Sequence, residues 1–113
     1  MPYIDIRTTK KVDDATRNKL QTEIANIMEL IPGKNAGNTT ISINDNYTMY
    51  REYKQIEAVF IDIRLYKESL FEDKSKFAEK LFSVIEDVLN TPPSLVQMNF
   101  MEQQCWASNG DLF

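Results

Sequence analysis

The sequence predicts an α+β fold in which a βαβ unit is written twice, and three observations carry that expectation. The stretch Tyr3-Ile4-Asp5-Ile6-Arg7 returns at position 60 as Phe60-Ile61-Asp62-Ile63-Arg64. At the same offset the helically spaced Leu20, Ile24, Ile27 and Ile31 map onto Phe77, Leu81, Val84 and Val88. The alternating Thr39, Ile41 and Ile43 map onto Val96, Met98 and Phe100. Two copies are too few for a stacked solenoid, so the units are expected to pair about a pseudo-two-fold. The result would be one four-stranded mixed sheet with both helices on one face. A chain of 113 residues then reads as a single domain, 1–113, with repeats at about 2–44 and 58–101 and a tail at 102–113.

Residues 2–7 alternate, placing Pro2, Ile4 and Ile6 on one face and Tyr3, Asp5 and Arg7 on the other. After Lys10-Lys11, either Asp13 or Asp14 can cap a helix over about 14–31, which Pro32-Gly33 ends. Lys34 to Asn38 forms a turn into a second strand, 39–44, whose Ile41 and Ile43 face the core. The polar and aromatic stretch 44–58 joins the repeats, and its text fixes neither strand, hairpin nor lid. A third strand at 58–65 and a second helix at about 70–90 follow. Thr91-Pro92-Pro93 breaks that helix before a fourth strand at 95–101. The tail keeps Trp106, Leu112 and Phe113 among polar residues, and aromatics are costly to leave in water. It is therefore expected to dock on a surface, of this subunit or of a neighbour.

With helices on one face, Tyr3, Asp5, Arg7, Asp62 and Arg64 occupy the other. An antiparallel pairing of the first and third strands would set Asp5 against Arg64 and Arg7 against Asp62. A sheet face this polar suits the inside of an oligomer.

Composition excludes several function classes. The net charge is −4 and no dense Lys/Arg block is present, so nucleic acid is not an expected partner. No apolar run approaches a membrane span, and the N-terminus lacks the layout of a signal peptide, so a cytoplasmic location with no membrane partner is the default expectation. The single cysteine, Cys105, rules out an intrachain disulfide. With no histidine, the chain lacks the commonest metal ligand and the commonest general base. Neither metal nor cofactor is expected, and any catalysis must use another base.

The duplicated βαβ, the Pro2 that begins a strand, the Gly33-Lys34 turn and the strand Val96-Gln97-Met98-Asn99-Phe100 together resemble the tautomerase superfamily. The likeness is nearest to the length class of macrophage migration inhibitory factor. That resemblance implies a trimer with three sites at subunit boundaries and the proline nitrogen, freed by methionine removal, as base. It implies a keto-enol proton transfer on a small 2-oxo acid or related carbonyl compound. Pro2, Lys34 and Asn99 match its catalytic positions, and the aromatic-ended tail with Trp106 and Phe113 resembles its C-terminus. Tyr3, Gln97, Arg64, Trp106 and Phe113 complete the expected substrate-binding set. Two departures are visible: Gln97 stands where the family has a tyrosine, and Ser42 stands where one branch has an arginine.

Each residue also has a plainer reading. Pro2 can simply permit methionine removal, Lys34 can be a solvated turn residue, and Asn99 an outward strand residue. The alternative function is accordingly a non-catalytic trimeric binding or scaffold protein of the same fold. An open-faced ferredoxin-like regulatory domain fits βαββαβ as well.

Overall fold

A computed structural model describes all residues, Met1 to Phe113. Strand β1 (Tyr3–Thr8) runs into helix α1 (Asp14–Ile27), continued by a short 3-10 turn, and then strand β2 (Thr40–Asn44). A hairpin of β3 (Met49–Arg51) and β4 (Lys54–Ile56) links the repeats. The second unit is β5 (Val59–Tyr66), α2 (Phe71–Leu89) and β6 (Val96–Gln103). The tail forms a small hairpin, β7 (Ala107–Ser108) and β8 (Asp111–Leu112).

The main sheet has the order β2-β1-β5-β6, with an antiparallel centre and parallel flanks. That order reads the same from either edge, as a pseudo-two-fold between repeats requires. Each flank is parallel because a helix returns the chain to the end from which it started. Both helices cover one face. Ile4, Ile6, Ile61 and Ile63 from the strands, Leu20 and Ile24 from α1, and Phe77, Leu81 and Ile85 from α2 are all fully buried in one cluster. Phe77 meets the half-buried Phe100 edge-on at 6.3 Å. Met28 also joins this core, while Ile27 and Val88 only flank it.

Local chemistry sets the element ends. Asp13 is the cap of α1, its Oδ1 accepting the Thr16 N–H at 2.8 Å. The chain leaves α2 through Asn90 in the left-handed region (φ 53°), after which the two prolines forbid more helix.

The central register differs from the expected charge pairing. Tyr3 lies opposite Arg64, Asp5 opposite Asp62, and Arg7 opposite Phe60. Like charges thus face each other, and Arg7 resolves the conflict by reaching Asp5 Oδ2 at 3.1 Å and Asp62 Oδ2 at 3.7 Å. Ser42 Oγ and Asn44 Nδ2 donate to Asp5 Oδ1 at 2.6 and 2.7 Å, and Asn99 Nδ2 donates to Asp62 Oδ1 at 2.6 Å. Arg64 is excluded from this network because no carboxylate sits across from it.

Candidate active site

The site is built outward from the start of β1. Pro2 is buried, and its carbonyl accepts the Thr40 N–H at 3.0 Å, which ties the N-terminus to β2. Ile31-Pro32-Gly33-Lys34 closes a β-turn in which the Lys34 N–H donates to the Ile31 carbonyl at 3.0 Å. Pro32 pre-sets the first central residue and Gly33 takes φ 83°, the geometry of a type II turn. This turn aims Lys34 at the end of β5, where its Nζ donates to the Tyr66 carbonyl at 3.2 Å. The same ammonium lies close enough to the chain start to matter electrostatically: burial first, and the Lys34 charge second, hold the Met1 α-amine below its ordinary pKa.

Aromatic side chains lie at this corner. Phe113 packs edge-on against Tyr66 with ring centroids 5.3 Å apart, and Lys67 Nζ stands 5.2 Å from the Tyr66 centroid. The tail reaches this position through its hairpin. Trp106 and Phe113 exchange backbone hydrogen bonds of 2.9 Å, and Asn109 (φ 52°) and Gly110 (φ 84°) form the two-residue turn between them. Tyr3, on the open face, donates to or accepts from Ser42 Oγ at 2.8 Å and carries the Arg64 guanidinium 6.0 Å from its ring.

Within one chain the expected residues fall into two groups. Pro2, Tyr3, Lys34, Arg64 and Phe113 lie at one end of the sheet, with Trp106 holding Phe113. Extending the β1–β5 register puts Pro2 level with Leu65, whereas Asn99 is level with Asp62 and Gln97 with Phe60. Asn99 is thus about 10 Å, and Gln97 about 16 Å, further along the strands. Gln97 instead borders a small hollow of about 190 Å³ with Met49, Tyr50, Arg51, Ile56, Ala58, Val59 and Phe60. A separate cleft of about 450 Å³, lined by Lys67, Glu68, Glu102, Gln103 and Gln104, opens beside Tyr66.

The residue the sequence reading missed is Tyr66, and alternation along Asp62, Arg64 and Tyr66 is the signal that could have found it. Lys67 is held at φ 65°, which no sequence pattern announced. No group of three or more His, Cys, Asp or Glu side chains is placed to hold a metal ion, and no helix is long and apolar enough to cross a membrane.

No protein-family model and no curated protein sequence matches this chain. Solved structures do. The chain superposes on MIF2 of Leishmania major with a TM-score of 0.91 at 15% identity, covering 100% of this chain and 97% of that one. A macrophage migration inhibitory factor-like protein from Entamoeba histolytica gives 0.85 at 16% identity, covering 99% and 98%. A fused 4-OT wild-type symmetric trimer gives 0.84 at 10% identity, covering 96% and 93%. The chain therefore has the fold shared by these macrophage migration inhibitory factor-like and 4-OT structures. At these identities the likeness establishes architecture, while chemistry has to be argued from the residues at the site.

Proposed function

We propose that the chain is a cytoplasmic, cofactor-independent tautomerase acting on a small 2-oxo acid, working as a homotrimer with Pro2 as general base. The observation that carries this reading is the Pro32-Gly33 turn, which brings the Lys34 ammonium to the strand end where Pro2 begins. Removal of Met1 would give Pro2 a secondary amine at that same buried corner. Burial and a neighbouring cation both disfavour a protonated amine, so the nitrogen would be free to take a proton.

In the proposed reaction the Pro2 nitrogen takes a proton from the carbon beside the substrate carbonyl. The C–H electron pair becomes the carbon–carbon double bond, the carbonyl π pair moves onto oxygen, and delivery of the proton from Pro2 to that oxygen completes the enol. Lys34 holds the substrate carboxylate or the developing enolate oxygen. Tyr3, Trp106 and Phe113 wall the pocket. Asn99 and Gln97 are too far along the sheet to serve the Pro2 of their own chain, so in this reading they serve that of a neighbour. A protein of the same fold that is a symmetric trimer supports that arrangement.

The test begins with intact mass, to obtain protein lacking Met1. The ultraviolet signal of an enolised 2-oxo acid is then followed with wild type and Pro2→Ala. Loss of about 100-fold or more in Pro2→Ala, with the assembly intact, supports the reading; an unchanged rate removes Pro2 from the mechanism.

A non-catalytic binding role for the same trimer has two observations in its favour. Gln97 supplies no phenol, and the Asn99 amide already donates to Asp62. It predicts no proton exchange on any 2-oxo acid by protein lacking Met1.

A further inference from the structure

The chain has nine asparagines, and only Asn109 is followed by glycine. Asn109 and Gly110 stand at the tip of the tail hairpin, and both are exposed. The Gly110 N–H donates to no backbone acceptor, and a Cβ built on Gly110 would meet nothing within 4 Å. Its nitrogen therefore has neither a partner nor a shield. The turn alone keeps it from the Asn109 side chain. Asn109 and Gly110 have φ 52° and 84°, and in a type I′ turn the first central residue has ψ of about +30°. Closing a five-membered ring needs the Gly110 nitrogen to eclipse the Asn109 Cβ instead, so the hairpin must open first. Little resists that opening. Each strand of the hairpin is two residues long, and a lone two-stranded hairpin is marginal in water. What holds it is the pair of 2.9 Å hydrogen bonds between Trp106 and Phe113 and the edge-on contact of Phe113 with Tyr66.

We propose that Asn109 is a self-modification site, a deamidation gated by docking of the tail. In the open tail the Gly110 nitrogen attacks Asn109 Cγ and a C–N bond forms. The proton of Gly110 passes through water to the side-chain nitrogen, which leaves as ammonia. Water then opens the cyclic imide. Attack at the side-chain carbonyl leaves aspartate, attack at the main-chain carbonyl leaves isoaspartate, and either adds one negative charge. Isoaspartate routes the main chain through Cγ and lengthens it by one atom, which a two-residue turn does not absorb. That product therefore keeps Phe113 from Tyr66, the residue whose carbonyl anchors Lys34. Aspartate in the same turn lets the tail dock again.

The test incubates the full chain near neutral pH and follows Asn109 by intact mass and peptide mapping, with isoaspartate counted by enzymatic methylation. A free peptide of residues 103–113 sets the unprotected rate. An edge-on aromatic pair shifts an open–closed balance by about three- to tenfold. Wild type is therefore expected to convert at least about threefold more slowly than the peptide. Phe113→Ala should recover most of that difference with its helical signal unchanged. Asn109→Gln, which would have to close a six-membered ring, should stay intact, and the other eight asparagines should convert far more slowly than Asn109. The purified isoaspartate form should lose the mutual ring-current shifts of Tyr66 and Phe113 in its NMR spectrum. Equal rates in wild type and peptide, or in wild type and Phe113→Ala, overturn the gating. A chain that stays unconverted while the peptide converts fully, or ring-current shifts that survive in the isoaspartate form, overturns the proposal as a whole.

Discussion

Replacing Arg7 by Gln exposes the main electrostatic problem of the sheet. Asp5 and Asp62 are direct cross-strand partners, and their side chains keep only 12% and 19% exposure. At a Cβ separation of about 5 Å, two unit charges at an effective dielectric near 20 repel by about 3 kcal/mol. Arg7 is 45% exposed, so water and the remaining hydrogen bonds offset part of this. A net cost of about 1–2 kcal/mol is expected, or roughly 5–10 °C in Tm for a domain of this size. Thermal unfolding at one protein concentration gives the number, and adding Asp62→Asn to Arg7→Gln should recover at least half of it by removing one of the facing charges. An Arg7→Gln variant within about 0.3 kcal/mol of wild type, or a double variant no more stable than Arg7→Gln alone, would refute the reasoning.

Other consequences are as direct. Gly33→Ala places a Cβ in open space but at φ 83°, so it should cost about 1 kcal/mol through backbone strain alone. It should also lower enol turnover by misdirecting Lys34, which a joint stability and rate measurement would separate. Acid sensitivity follows from three carboxylates held below their ordinary pKa: Asp13 by the Thr16 N–H, Asp45 by the Val12 N–H, and Glu102 by Lys74. A depressed folded pKa means the unfolded chain binds the proton first. Their contribution is therefore complete above the ordinary carboxylate range, roughly pH 4, and is lost as pH falls through the folded values. Denaturant midpoints taken between about pH 6 and pH 3 should fall, and Glu102→Gln should flatten the curve.

The architecture was legible because the repeat writes its period twice. Ile4 with Ile6 and Ile61 with Ile63 alternate, while Leu20 with Ile24 and Phe77 with Leu81 recur at helical spacing, so sheet, helices and core side follow from pattern alone. Register was not legible. A shift of pairing that leaves the apolar face intact still exchanges partners on the polar face, and only the structure sets Asp5 against Asp62. The two small hairpins divide along the same line. Asn109-Gly110 is a strong turn signal that could have announced the tail hairpin. Glu52 and Tyr53 adopt φ 54° and 67° without glycine or asparagine, so nothing in the text of 44–58 marks that turn. At the candidate site, Pro2 was legible as the start of the first strand and Lys34 as the residue after the Pro32-Gly33 break. Alternation could have put Tyr66 on the open face, but not its part at the corner, which is played by a backbone carbonyl and a ring face rather than by a reactive group.

The central claim is that burial first, and the Lys34 charge second, would favour the neutral form of a Pro2 amine freed of Met1, as both do for the Met1 amine. It is tested most directly by an NMR pH titration of ¹⁵N-proline-labelled protein lacking Met1, compared with Lys34→Gln and with an unfolded peptide carrying the same N-terminus. The account predicts a Pro2 pKa below that of the peptide, moving back toward it when Lys34 is removed. A Pro2 nitrogen that titrates like the peptide in both proteins would contradict it.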